Sequence, residues 1–85
     1  MFTNTQIKRL KIRSWRRGIR ELDLILGKFA DLHLENLSTT QLNNYEELLN
    51  KEDHLLYSWL ADQKKVHPTF KSIITTIIQV TELDA

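Results

Sequence analysis

The sequence predicts an all-α fold: a compact single-domain bundle of five short helices spanning residues 1–85. Three observations predict it. Apolar residues recur at three- and four-residue steps along the chain, and no stretch alternates convincingly. Polar connections between the periodic segments are short, at 36–37, 50–51 and 64–67, which favours antiparallel helical neighbours. The chain has 85 residues, enough for one small domain that buries roughly 60–65% of its unfolded surface.

The first helix is expected over 5–15, with Ile7, Leu10 and Ser14 on its inner side and cations over most of the rest. A second is expected from about Arg17 to Leu32. Ile19, Leu22, Leu26 and Phe29 form its stripe, widened by Ile25 and Ala30. This is the most amphipathic segment and belongs at the centre of the bundle.

Ser38 followed by Gln41 reads as a capping box, opening a third helix with Leu42, Tyr45, Leu48 and Leu49 inward. Asp53 reads as the cap of a fourth helix, where Leu55, Leu56, Trp59 and Leu60 turn inward. Pro68 suits the first turn of a fifth, because the donor it lacks would be unpaired there anyway. The β-branched run from Ile73 to Val80 admits a strand. Its paired isoleucines and threonines fit a period of 3.6 better than 2, so a helix is expected.

Composition narrows the function classes. Absence of cysteine excludes disulfide scaffolds, thiolate metal sites and cysteine nucleophiles, and suits a reducing compartment. No apolar run approaches the ~20 residues that span a bilayer, so no membrane insertion is expected. His33, His54 and His67 lack the spacing of a metal site and read as surface histidines. No glycine elbow surrounds a serine, and there is no phosphate loop. The expectation is therefore no catalytic residue, no metal and no stably bound cofactor.

Charge is uneven. The first twenty residues hold only cations: Lys8, Arg9, Lys11, Arg13, Arg16, Arg17 and Arg20. The first acid is Glu21. Such asymmetry suits an acidic partner, or internal pairing with acids of the other helices. Trp15, flanked by arginines, could stack on a nucleobase, although core or protein contact is the favoured reading. Gly27, inside the apolar stripe, reads as a close-packing point.

Gly18 stands out. A glycine there costs a helix about 1 kcal/mol against alanine and bares the backbone to a partner. Arg17 and Glu21, four apart, would share a helical face with it, in the less favourable order for an ion pair. Local stability does not account for the trio, and such positions are where function is expected. The candidate partner-binding residues are Arg16, Arg17, Gly18, Glu21 and Asp23.

Arg16-Arg17-Gly18-Ile19-Arg20-Glu21-Leu22-Asp23, with the stripe that ends in Phe29, resembles the SdhE-type succinate dehydrogenase assembly factors, also called flavinators. Tyr45 to Asp53 and Leu56-Tyr57-Ser58-Trp59-Leu60 resemble that family's third helix, its Glu-Asp turn and its Trp-Leu helix. The resemblance runs from about Ile7 to Ile78. One departure is Trp15, where relatives more often carry a small or polar residue.

The resemblance implies a monomeric, non-catalytic protein. It would bind the flavoprotein subunit of succinate dehydrogenase, or fumarate reductase, and promote covalent attachment of FAD to a histidine of that subunit. It implies that Arg17, Gly18 and Glu21 centre the docking surface, with Asp23 beside them. With no transit peptide recognised, a bacterial cytoplasmic location is expected. The alternative is a nucleic-acid-binding or antitoxin-like regulator that uses the basic first helix.

Overall fold

The computed structural model describes residues 2–84, and side chains through Thr81. Five α-helices account for the architecture: α1 (Asn4–Trp15), α2 (Arg20–His33), α3 (Thr39–Leu48), α4 (Asp53–Ala61) and α5 (Lys71–Asp84). Three 3₁₀ turns (Leu34–Asn36, Gln63–Lys65 and Pro68–Phe70) tighten the connections. No strand occurs among the described residues, so the isoleucine-rich segment is helical, as its period predicts.

Helix starts follow local chemistry. Thr3 Oγ1 accepts from the Gln6 amide at 3.1 Å, and Gln6 Oε1 accepts from the Thr3 amide at 2.8 Å. Ser38 and Gln41 form the same reciprocal box at α3. Each box satisfies two otherwise orphaned donors and stabilises its helix by about 1 kcal/mol. Pro68 opens the last 3₁₀ turn, and His67 Nδ1 accepts the Thr69 amide.

Three starts differ from expectation. Pro68 opens a 3₁₀ turn, and α5 itself begins at Lys71. α2 begins at Arg20, not Arg17, because Gly18 adopts φ +94°, which no right-handed helix accommodates. At α4 the cap is Glu52, and Asp53 is the first helical residue. Its carboxylate is drawn to Arg17 instead of to the amides above it.

α2 lies at the centre, as its stripe predicts: Leu22, Leu26, Phe29 and Ala30 are fully buried. Tyr45 and Leu48 from α3, Leu56 from α4, and Ile73 and Ile77 from α5 close over it. Phe29 and Tyr45 rings meet tilted at 5.5 Å, and Trp59 meets Phe70 at 5.6 Å. Both distances suit offset aromatic pairs. Leu55 points outward, contrary to expectation. Leu56 and Trp59, three apart, form the inward stripe of α4, and Leu55 lies about 100° round the helix from Leu56.

Ser14 is the buried polar residue of the core. Its Oγ donates to the Leu10 carbonyl at 2.7 Å and lies 2.6 Å from the Tyr45 hydroxyl. That phenol also reaches the Leu26 carbonyl at 3.4 Å. Burial pushes the Tyr45 phenol well above its ordinary pKa, outweighing the Ser14 hydrogen bond and the Arg17 charge. The network ties α1, α2 and α3 together.

Candidate functional site: a clamped glycine turn beside an acidic groove

Residues 16–19 form a non-helical turn between α1 and α2. Gly18 is the positive-φ residue among those described. A Cβ built there would stand 4.0 Å from Asp53 Oδ2, an ordinary contact. Conformation, not space, therefore demands glycine.

Arg17 holds the turn in place. Its amide donates to Asp23 Oδ1 at 2.7 Å, so Asp23 caps the approach to α2. Its Nε donates to Asp53 Oδ1 at 3.0 Å. One terminal nitrogen donates to the Leu49 carbonyl and the other to the Lys51 carbonyl at 2.6 Å. Those carbonyls follow the C-terminus of α3, where the helix dipole favours a cation. The fork of donors on a guanidinium matches several acceptors at once, which an ammonium cannot do. With its side chain only 11% exposed, Arg17 sits in a setting where such bonds outweigh those of surface pairs.

Arg17 therefore pairs with Asp53, 36 positions away, and not with Glu21. It precedes α2, so the four-residue spacing no longer places the two on one face. Gly18, Arg17 and Asp23 come together in one hydrogen-bonded turn. Arg16 and Glu21 lie exposed beside it. Among the described residues, neither side chain makes a hydrogen bond or ion pair within the chain. Sequence reasoning missed Asp53 as the partner of Arg17. The Arg17–Asp53 pairing has no local signature, and only the tertiary fold brings the two together.

Glu21 stands where two shallow grooves between α2 and α4 meet. One, of about 380 Å³, is lined by Ile19, Glu21, His54, Tyr57 and Ser58. The other, of about 190 Å³, is lined by Glu21, Ile25, Tyr57, Leu60 and Ala61. The carboxylate thus has apolar and aromatic walls on both sides. An exposed tyrosine offers large contact area at low entropic cost. Tyr57 was not singled out from the sequence. Its signal was an aromatic on the outward side of a short helix, next to two core positions.

No group of three His, Asp or Glu side chains among the described residues could hold a metal. His54 lies 4.0 Å from Glu52 on the surface, and His67 is spent on its turn.

Elsewhere on the surface, Trp15 lies flat over Gly27. A Cβ at Gly27 would fall 2.3 Å from the indole. Trp15 Nε1 donates to Asp31 at 3.0 Å. Gly27 is thus a close-packing point, with an aromatic ring filling the place of its side chain. Lys11 bonds Glu35 at 2.9 Å, and this bond with its charge draws the Glu35 carboxyl below its ordinary pKa.

Fold and site together define a small helical protein that presents one clamped turn and an acidic, apolar-walled groove. Comparison with known proteins places it further. The family model described as "Flavinator of succinate dehydrogenase" matches residues 8–81, and the chain belongs to that family. The mitochondrial succinate dehydrogenase assembly factor 2 of Meyerozyma guilliermondii is 42% identical over 64 residues, covering 75% of this chain and 47% of that one. That of Dictyostelium discoideum is 33% identical over 72 residues, covering 85% and 51%. Assembly factor 2-A of Drosophila yakuba is 38% identical over 78 residues, covering 89% and 46%. The chain spans about half the length of these relatives. No solved structure matches it.

One expectation is overturned. The relatives are mitochondrial proteins of eukaryotes, which points away from a bacterial cytoplasmic protein.

Proposed function

We propose that this chain is a succinate dehydrogenase assembly factor that binds the flavoprotein subunit and promotes covalent attachment of FAD to it. Membership of the flavinator family supports the role in assembly. The observation that carries the docking assignment is the division of labour around Gly18. Arg17, Asp23 and Asp53 are used up in holding the turn, while the Gly18 main chain and Glu21 face outward.

A preformed turn binds without a further ordering cost, and preorganisation of this kind favours affinity. Gly18 lets a partner backbone approach closely. Glu21 accepts a hydrogen bond from a partner donor, and Tyr57 and Ile25 shield that bond from water. Arg16, exposed at the edge, steers the approach and contributes little beyond that. Arg17 acts from inside, as a positioning residue.

In this reading the chain is not an enzyme and binds no cofactor stably. It fixes the flavoprotein in the geometry in which that subunit's own residue attacks the flavin. It works as a monomer, in the mitochondrion as its relatives do. The test is co-expression with a flavoprotein subunit, followed by denaturing gel electrophoresis and in-gel flavin fluorescence. Flavin that stays covalently bound with this chain, and is reduced without it or with Glu21→Arg, supports the proposal. Equal fluorescence in all three would overturn it.

A further inference from the structure

Next to the glycine turn, α1 and the adjoining side of α2 carry a second surface that shares only Arg16 with the docking reading. Of the cations in the first twenty residues, three are consumed internally: Lys11 by Glu35, Arg13 by Asn50 and Arg17 by Asp53. Lys8, Arg9 and Arg16 are exposed, and among the described residues their side chains make no hydrogen bond or ion pair. Lys8 and Ile12 stand four residues apart on one stripe of α1, with Arg9 beside it and Arg16 just past the helix end.

Apolar groups are set among these cations. Ile12 is 51% exposed on that stripe. Trp15, three residues on, is 37% exposed and held flat in the α1–α2 seam by Gly27 and Asp31. On α2, Leu24 lies one turn before Gly27 and is 41% exposed, and the exposed Lys28 follows Gly27. Of the nearby acids, Glu35 is paired with Lys11, while Asp31 accepts from the neutral indole and keeps its charge, one carboxylate against four free cations among the described residues. No helix here is long and apolar enough to cross a membrane.

We infer that this face docks on the surface of an anionic lipid bilayer, with Lys8, Arg9, Arg16 and Lys28 among the headgroups and Ile12, Trp15 and Leu24 at the acyl boundary. Charge complementarity selects an anionic surface. The aliphatic side chains select lipid over nucleic acid. Single-stranded nucleic acid binding uses successive aromatic platforms, whereas this face offers one indole between two aliphatic residues. Interfacial helices combine such aliphatic groups with flanking cations, and tryptophan favours the headgroup level. Attachment is peripheral and reversible.

Sedimentation of the full chain with phosphatidylcholine vesicles, with and without phosphatidylserine, tests the inference. Binding is expected only to the anionic vesicles and should weaken as salt rises. Each cation contributes about fivefold to partitioning. Lys8→Glu/Arg9→Glu should therefore reduce binding by roughly twenty-fivefold or more, with circular dichroism unchanged. Ile12→Gln, which keeps every charge, should also reduce it. Emission from Trp15 should shift to the blue on binding, because Trp59 is already buried. No binding to anionic vesicles, binding untouched by the double variant, or tighter binding to single-stranded RNA than to the vesicles would overturn it. Flavoprotein binding should survive Lys8→Glu/Arg9→Glu, which separates this surface from the groove.

Discussion

Replacing Gly18 with alanine isolates the backbone demand of the turn. The new Cβ stands 4.0 Å from Asp53 Oδ2, so no steric overlap contributes. At φ +94° an L-residue costs about 1–2 kcal/mol. Alanine also narrows the unfolded ensemble, which returns roughly 0.4–1 kcal/mol. The net loss is about 1 kcal/mol, or some 4–8 °C in melting temperature for a domain of this size. Urea denaturation and thermal melts followed by circular dichroism measure it directly. Gly18→Asn should lose less, because asparagine visits positive φ more readily. If Gly18→Ala melts at or above the parent temperature, the turn is not conformationally locked and the reasoning fails. Gly18→Arg carries the same backbone penalty, so lost binding in that variant mixes two causes.

Other perturbations probe the supports. Arg17→Ala should destabilise by about 3 kcal/mol, since it strands two carbonyls and the Asp53 carboxylate. A double-mutant cycle with Asp53→Asn should give a coupling of about 1 kcal/mol, and zero coupling would remove the clamp. Gly27→Ala gains about 1 kcal/mol in helix propensity but drives a methyl into the Trp15 ring, an overpacking cost of roughly 1–3 kcal/mol. Net destabilisation with a displaced indole N–H resonance is expected; a gain in stability with that resonance unmoved would contradict the packing. Tyr45 sets an alkaline limit. Its folded pKa is raised, so its contribution is fully present below the unfolded value of about 10 and is lost as pH climbs above that. Tyr45→Phe should flatten the alkaline limb of a stability-against-pH curve, at a cost near neutrality of about 1 kcal/mol for the lost hydrogen bond.

What could be read from the residues was local. Periodicity located all five helices, and the Ser38–Gln41 spacing fixed the start of α3. Gly27 within an apolar stripe announced a close approach, and Trp15 makes it. The start of α2 was misplaced because helical periodicity runs through Ile19, while the decisive fact is one torsion angle at Gly18. The four-residue spacing of Arg17 and Glu21 suggested a shared face that exists only if the helix begins before Arg17. The real partner of Arg17 is set by how α3 and α4 meet, which no spacing encodes. Asp53 looked like a cap because helix starts favour aspartate, yet the half-buried Arg17 guanidinium, a charged donor, takes its carboxylate instead of the backbone amides.

The consequence for the candidate site is a separation of roles. Arg17 and Asp23 build the turn, and Glu21, Tyr57 and the Gly18 main chain present it. Substitutions at Arg17 and Asp23 should lower stability and binding together, while those at Glu21 and Tyr57 should leave melting temperature within a degree or two and act on binding alone.

The most direct test of the docking surface is the affinity of the purified chain for a succinate dehydrogenase flavoprotein subunit, measured by calorimetry for the parent, Glu21→Arg and Lys8→Glu. Loss of a hydrogen-bonded charge at a desolvated contact costs about 2 kcal/mol or more. Glu21→Arg should therefore bind at least roughly thirtyfold more weakly, with an unchanged melt, while Lys8→Glu binds as the parent does. Parent-like affinity of Glu21→Arg, or an equal loss in Lys8→Glu, would place the interface elsewhere and contradict the assignment.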